Sequence, residues 1–136
     1  MHHIRHEIEL DAPPDEVWDV VGDPGAIARW LPALEDSHME GDVRVGTMPG
    51  GLVARERITH RSDADRSYTY VLEEAPLALE GYESTITVQD LAGRSHVVWA
   101  AHFDADDELR AAVDDMYRTG LDSLAAHLDA RTQERA

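Results

Sequence analysis

Residues 13–32 read PPDEVWDVVGDPGAIARWLP, and they separate the first predicted strand of this 136-residue chain from all the others. Pro13 and Pro14 suit the first turn of a helix, where backbone N–H groups have no partner, and the acidic pair DE complements the positive end of the helix dipole. Apolar residues follow at helical spacing until GDPG at 22–25 ends the helix. AIARW then begins another helix, which the Leu-Pro pair ends. The stretch therefore predicts two short helices.

The chain on either side of this stretch has the period of β-strands. Ile4, His6, Ile8 and Leu10 alternate with charged residues, as in a half-buried strand. After residue 33, short alternating segments rich in β-branched and aromatic residues are separated by turn clusters. They predict six antiparallel strands, at 34–40, 43–48, 52–61, 66–73, 82–90 and 94–104.

The end of the chain has the pattern of one long helix. From residue 106 to about 130 an apolar stripe recurs every three or four positions, with Tyr117 at its edge and acidic residues such as Asp114 on the other side. The stripe consists of Leu109, Val113, Met116, Gly120, Leu124 and Leu128. A helix of this length can cover the whole set of strands. We expect one domain over 1–130 and a frayed tail over 131–136.

Charge and composition exclude several classes of partner. The formal net charge of −16, from 12 basic and 28 acidic residues, repels nucleic acid and anionic lipid headgroups. The absence of cysteine leaves no disulfide framework and no thiol nucleophile, which fits the cytoplasm. No apolar run approaches a membrane span, and the first residues lack the apolar core of a signal peptide. We expect a cytoplasmic monomer or weak homodimer that binds no nucleic acid and does not insert into a membrane.

The order strand, two short helices, six strands and long helix predicts an α+β fold, in which a curved seven-stranded antiparallel sheet wraps around the C-terminal helix. Four segments carry a further signal, namely APPDEVWDVVGDPGAIARWLP at 12–32, RERI at 55–58, YTYVLEEAPLALEGY at 68–82 and VVWAAHF at 97–103. With these segments the chain resembles the START-like or helix-grip superfamily (SRPBCC), which includes the birch-pollen-allergen-like proteins. Within it, the chain looks most like the small bacterial polyketide cyclase/dehydrase proteins.

The resemblance implies a cavity between sheet and helix, with the two short helices forming a V at its mouth. Trp18 would then be a wedge in the core, and Trp30 a rim residue that either packs or contacts a ligand. The expected function is binding of a small hydrophobic or aromatic ligand, polyketide- or lipid-like in character. The alternatives are an enzyme of the polyketide cyclase/dehydratase type, and an interaction module like the chaperone activators of the superfamily.

Strand alternation places a carboxylate inside this cavity. Glu56 shares a face with Leu52, Ala54 and Ile58, while Arg55 and its neighbour two positions on point the other way. A carboxylate in an apolar setting is costly unless it is paired or protonated, and such groups often serve as general acids or bases. If the protein is an enzyme, Glu56 is therefore the candidate catalytic base, with Tyr70 or Tyr82 polarising a carbonyl of the substrate; otherwise Glu56 is a hydrogen-bonded structural carboxylate.

The other candidate ligand contacts are aromatic, hydroxyl-bearing, flexible or small. Phenols and a hydroxyl among apolar groups can orient a hydrophobic, oxygenated ligand, or can simply complete the core. The set comprises Trp30, Tyr68, Tyr70, Tyr82, Ser84, Trp99, Met116, Tyr117 and Gly120. Because glycine inside a helix costs stability, Gly120 indicates either close backbone packing or room for ligand.

Eight histidines raise the question of a metal site, but none of them has a known ligand spacing such as HExxH. We predict no metal and no cofactor. His6 lies on the apolar face of its strand and is expected in the core or the cavity, whereas His96 and His102 lie opposite the Trp99 face and are expected to be exposed. No GxSxG, GxGxxG or P-loop motif is present, so hydrolase and nucleotide-binding functions have no support.

Overall fold

The computed structural model describes residues 1–135, with side chains as far as residue 133. The chain begins with strand β1 (His2–Leu10), helix α1 (Pro14–Val21) and a 3₁₀ helix (Pro24–Arg29). Six strands follow, β2 (Asp36–Glu40), β3 (Val43–Thr47), β4 (Val53–Ser62), β5 (Ser67–Glu74), β6 (Glu80–Leu91) and β7 (Arg94–Asp104). Helix α2 (Asp107–Arg135) is the last element of the described residues. Every predicted strand is confirmed, with its ends within two residues of the prediction.

The seven strands form one antiparallel sheet in the order β1-β7-β6-β5-β4-β3-β2. Strands β1 and β2 therefore lie at opposite edges of the sheet, although they follow each other as strands along the chain. The stretch 13–32 carries the chain from one edge to the other, which explains why two short helices interrupt the sheet so early. With α2 packed on the face that bears Trp99, the predicted helix-grip fold is confirmed.

Helix α1 anchors one corner of the core through Trp18. This side chain is 9 % exposed, and its indole N–H donates to Asp63 Oδ1 at 2.9 Å. The helix ends at Gly22, where a Cβ atom would lie 2.5 Å from Trp18 Cε2, so only glycine fits beside the indole. Trp18 is the core residue that we expected. The second short helix was expected to begin at residue 26, and it is a 3₁₀ helix that begins at Pro24.

Helix α2 begins at a capped end, because Asp106 Oδ1 accepts the Leu109 N–H at 2.7 Å. Its buried residues are Val113, Tyr117, Gly120, Leu121, Leu124 and Leu128. Tyr117 is fully buried at the centre of the stripe rather than at its edge, which corrects the prediction. The helix also continues to Arg135, so the tail predicted over 131–136 is helical as far as that residue, and residue 136 lies outside the described part.

The side-chain orientation predicted from strand alternation is wrong at the start of one strand and correct within the strands. Leu52 is 51 % exposed rather than inward, because it precedes β4 in the turn instead of lying within the strand. His6 lies against α2, where its Nε2 contacts Asp114 Oδ1 at 2.9 Å. His96 and His102 lie on the outer face and contact Glu7 and Glu83. Both are half-buried there rather than fully exposed.

Candidate functional site

A cavity of about 220 Å³ lies between the sheet and the first part of α2. Most of its surface is apolar, and the charged and hydroxyl-bearing side chains in it belong to four residues, which we call the polar wall: Arg44, Glu56, Tyr70 and Tyr82. The apolar lining comes from five parts of the fold. It consists of Ile27, Leu31, Ala33 and Leu34 after α1, Met48 and Ala54 on the β3–β4 hairpin, Leu72, Ala75, Leu77 and Leu79 around the β5–β6 connection, Trp99 on β7, and Leu109, Ala112, Val113 and Met116 on α2.

Arg44 on β3 is a charged residue buried in the wall of this cavity. Only 1 % of it is exposed, and its guanidinium donates to Glu56 Oε1 at 3.0 Å, to the Pro24 carbonyl at 3.2 Å and to the Tyr68 hydroxyl at 3.0 Å. It also lies 4.5 Å from the centre of the Tyr70 ring, a cation–π distance. Burial alone would lower the pKa of Arg44, but its contacts with Tyr68, Glu56 and Tyr70 outweigh burial and raise that pKa above its ordinary value. Arg44 is therefore a permanent cation.

Glu56 lies directly opposite Arg44 in the pairing of β3 with β4. Its Oε1 accepts from Arg44 Nε at 3.0 Å and lies 3.0 Å from Arg44 Nη2 in the same ion pair, and its side chain is 16 % exposed. Arg44 thus supplies the partner that a carboxylate needs in an apolar setting. A shift of register in the β4–β5 pairing lies between Arg55 and Glu56, at the place where β4 forms the cavity wall.

A chain of hydroxyl groups joins the polar wall to the packed core. Tyr117 on α2 hydrogen bonds with Tyr82, lies 3.3 Å from the Tyr70 hydroxyl, and donates to Ser84 Oγ at 2.6 Å. Its ring stacks on Trp99 with 4.0 Å between centroids. Burial raises the pKa of both Tyr82 and Tyr117 well above the ordinary value, so both phenols remain protonated at neutral pH.

Five of the predicted site residues line the cavity and five do not. Those that line it are Glu56, Tyr70, Tyr82, Trp99 and Met116. The others lie behind its surface, namely Trp30, Tyr68, Ser84, Tyr117 and Gly120. Tyr68 accepts from Arg44, while Ser84 and Tyr117 hold the hydroxyl chain in place. These three support the polar wall instead of forming it.

Trp30 and Gly120 differ from the expectation for a physical reason. Trp30 is 2 % exposed and meets Trp99 edge to face at 5.5 Å, so it is a core residue and not a rim residue. At Gly120 a Cβ atom would lie 2.7 Å from Leu31 Cδ1 and 3.1 Å from Trp99 Cζ3. The structure therefore supports close backbone packing, and not room for a ligand, as the reason for a glycine at this position.

Sequence reasoning missed Arg44 and the apolar loop residues Leu77 and Leu79. The signal for Arg44 was present in the hairpin, because the turn PGG is centred on residue 50 and a symmetric hairpin about it pairs residue 44 with residue 56. Opposite charges at directly paired positions stabilise a sheet. The loop residues carried no comparable signal, since their inward position depends on the path of the β5–β6 connection.

Among the described residues, no three His, Asp or Glu side chains are placed to hold a metal ion. No helix in the described part of the chain is long and apolar enough to cross a membrane.

The comparisons with known proteins agree with this architecture. The model of the family described as polyketide cyclase/dehydrase and lipid transport matches residues 1–129. The chain belongs to this family. None of the curated proteins compared with the chain matches it.

Several solved structures resemble this member of the polyketide cyclase/dehydrase and lipid transport family. The protein XoxI from Bacillus cereus is 31 % identical, with a TM-score of 0.89, covering 96 % of this chain and 99 % of its own. An uncharacterized protein from Bacillus thuringiensis is 30 % identical, with a TM-score of 0.86 and coverages of 93 % and 99 %. The Zhui aromatase/cyclase from a Streptomyces species is 21 % identical, with a TM-score of 0.77 and coverages of 96 % and 95 %. This last similarity shows the fold alone.

Proposed function

We propose that this protein binds a small hydrophobic or aromatic molecule, polyketide- or lipid-like in character, in the cavity under α2. The observation that carries the proposal is the cavity of about 220 Å³, apolar on most sides, with the Arg44–Glu56 ion pair and two phenols on one wall. Small-molecule sites have this composition, in which apolar groups supply contact area and a few fixed polar groups orient the ligand.

The volume and the charges of the cavity narrow the ligand class. About 220 Å³ lies below the roughly 300 Å³ at which sites for drug-sized ligands begin, so a ligand of one or two rings fits better than a long acyl chain. The charged lining residues, Arg44 and Glu56, neutralise each other. A neutral ligand therefore enters without leaving a charge unpaired in an apolar setting.

A direct test is native mass spectrometry of the full chain purified from its own host, followed by denaturing extraction of bound small molecules. We expect a stoichiometric aromatic or apolar compound. The matched variants are Ala54→Phe, which fills the cavity from β4, and Val53→Phe, which adds a larger ring at the neighbouring exposed position. Loss of the compound in Ala54→Phe alone supports the site, whereas retention in both variants places the compound elsewhere and contradicts the proposal.

Catalysis of the cyclase/dehydratase type is a second candidate function, and the position of Glu56 favours it. This carboxylate lines the cavity, and only its Oε1 accepts from Arg44. Its Oε2 is therefore available to take a proton from a bound carbonyl compound. Glu56→Gln separates the two functions. Turnover should fall by about 100-fold or more if Glu56 moves a proton, while affinity changes by about tenfold at most.

The third hypothesis from the sequence, a surface interaction module, is less well supported. A module of that kind needs no internal space, and a closed, filled core would have favoured it. The open apolar cavity instead supports the two ligand-based functions.

We also propose that residues 1–130 form one domain that acts in the cytoplasm as a monomer or weak homodimer. Light scattering coupled to size-exclusion chromatography measures the oligomeric state directly, and a concentration-independent dimer would contradict this part of the proposal.

A further inference from the structure

The hydrogen bonds behind the cavity have only one consistent direction. The Ala100 carbonyl can only accept, so the Ser84 hydroxyl donates its proton there, over 3.1 Å. Because a hydroxyl has a single proton, Ser84 must accept from Tyr117, at 2.6 Å. Tyr117 has then used its own proton, and it can only accept from the other phenols next to it.

Tyr70 and Tyr82 are these phenols, and both line the cavity. Each of them has one proton, and each donates it to the Tyr117 oxygen, which has two lone pairs to receive them. Tyr70 in addition accepts the indole N–H of Trp99, at 3.2 Å. The only hydrogen-bonding capacity that the two phenols retain for a ligand is therefore acceptance.

Glu56 adds a further acceptor to the polar wall. Oε1 receives the bonds from Arg44, while Oε2 has no hydrogen-bond partner within the described residues. Arg44 in turn gives its Nε proton to Glu56 and its Nη1 protons to Pro24 and Tyr68, while its Nη2 lies 3.0 Å from Glu56 Oε1 as part of the ion pair. Nη2 is therefore the one nitrogen of Arg44 that makes no hydrogen bond within the described residues. A ligand thus meets several acceptors and a single donor group.

We propose that the cavity selects compact aromatic ligands that carry a free hydroxyl group, an inference that rests on the ligand-binding function proposed above. The hydroxyl proton is donated to Glu56 Oε2 or to a phenol oxygen, and the hydroxyl oxygen accepts from Arg44. An ether or ketone of the same shape leaves the acceptors of the polar wall without a proton, which is costly when water is excluded. A carboxylate ligand is disfavoured as well, because its negative charge lies beside the negative charge of Glu56.

Three naphthalene derivatives test this selection, because they share one ring system and differ in one group: 2-naphthol, 2-methoxynaphthalene and 2-naphthoate. Calorimetric titration of the full chain at neutral pH should show 2-naphthol binding at least about tenfold more tightly than the other two, a difference of about 1.4 kcal/mol. Equal affinity for naphthol and its methyl ether would overturn the selection and leave ligand binding intact. Absence of saturable binding by all three would overturn the selection together with the size argument beneath it.

Two variants connect the selection to the polar wall. Tyr82→Phe removes an acceptor and keeps the ring, so the preference for naphthol should shrink while affinity for the methyl ether stays unchanged. Glu56→Gln replaces a carboxylate oxygen by an amide that can donate, and it should shift the preference toward the ether. If Glu56→Gln fails to fold because Arg44 loses its partner, Tyr82→Phe still decides the matter.

The matched control is Thr69→Val, which removes a hydroxyl that contacts the Thr85 hydroxyl at 2.8 Å and does not line the cavity. The preference for naphthol should be unchanged in this variant. A preference that is unchanged in Tyr82→Phe, or lost equally in Thr69→Val, would show that the polar wall does not recognise the hydroxyl group.

Discussion

Helix α2 covers two regions of the interior that are built in opposite ways. In the packed half, Tyr117, Gly120 and Leu124 meet the sheet with no space between, and Trp99 is held between Trp30 and Tyr117. In the cavity half, the preceding turns of the same helix line the cavity with Leu109, Ala112, Val113 and Met116. The apolar stripe of α2 therefore packs against the sheet in one half of the helix and lines the cavity in the other half.

The difference shows what keeps the cavity open. An empty volume in a protein collapses only as far as its surroundings can relax. Here the packed half fixes the position of α2, because Gly120 allows the helix to approach Leu31 and Trp99 closely. The hydroxyl chain from Tyr82 through Tyr117 to Ser84 then ties the polar wall to that fixed region. The helix cannot move into the cavity without breaking the tight packing next to it.

The largest expected effect is loss of folding at alkaline pH. Burial raises the pKa of Tyr68 to about 12 and the pKa of Tyr82 and Tyr117 well above the ordinary value of about 10. Between about pH 10 and pH 12 these tyrosines are ionised in the unfolded chain but still protonated in the folded chain. Their contribution to the free energy of unfolding is therefore complete below about pH 10 and is lost as the pH rises toward 12. Tyr68 alone accounts for roughly 3 kcal/mol of this loss. Tyrosinate absorbance and far-ultraviolet circular dichroism should change together.

The same titration sharpens the comparison between the two halves. Tyr117 belongs to the packed half, whereas Tyr82 faces the cavity. If water filled the cavity, Tyr82 would ionise before unfolding, and one early step in tyrosinate absorbance would disappear in Tyr82→Phe. We expect no such step, because the cavity lining is almost entirely apolar.

A matched pair of truncations on α2 should give the next largest effect. Leu124→Ala creates a new void in the packed half, where the side chain is fully buried, and should cost about 2–5 kcal/mol. Met116→Ala enlarges a volume that already exists and should cost less than about 2 kcal/mol. Urea denaturation of both variants measures the difference. Equal losses would mean that α2 is packed alike along its length and would contradict the comparison.

The packed half was the more predictable region from the sequence. Alternation and helical spacing placed Trp18, Trp99, Leu124 and Leu128 correctly, because a core position needs only the right face of its own element. Tyr117 was assigned to the edge of the stripe because recurrence every three or four positions does not fix the centre of a stripe about 100° wide. The fold order and the face of Glu56 followed from the same local patterns.

The cavity half was only partly predictable, since its surface depends on how separate elements meet. Leu77 and Leu79 enter it from a connection without periodicity, and Leu34 from the segment before β2. Arg44 could have been found by pairing the hairpin about its turn, but its burial depends also on the Pro24 carbonyl and on Tyr68. Whether a phenol lines a cavity or stands behind it is a matter of a few ångströms that strand alternation does not resolve.

The smallest predicted effect is the most specific, because it adds atoms instead of removing them. Gly120→Ala gains about 1 kcal/mol of helix propensity but puts a methyl group against Leu31 and Trp99, which costs about 1–3 kcal/mol of overpacking. We expect a net loss of about 1 kcal/mol in urea denaturation. The control in the cavity half is Ala112→Leu, which adds a larger group where space exists and should leave stability unchanged while weakening ligand binding. A Gly120→Ala variant more stable than the parent would show that the packed half has room to spare, and the cavity would then need another explanation for remaining open.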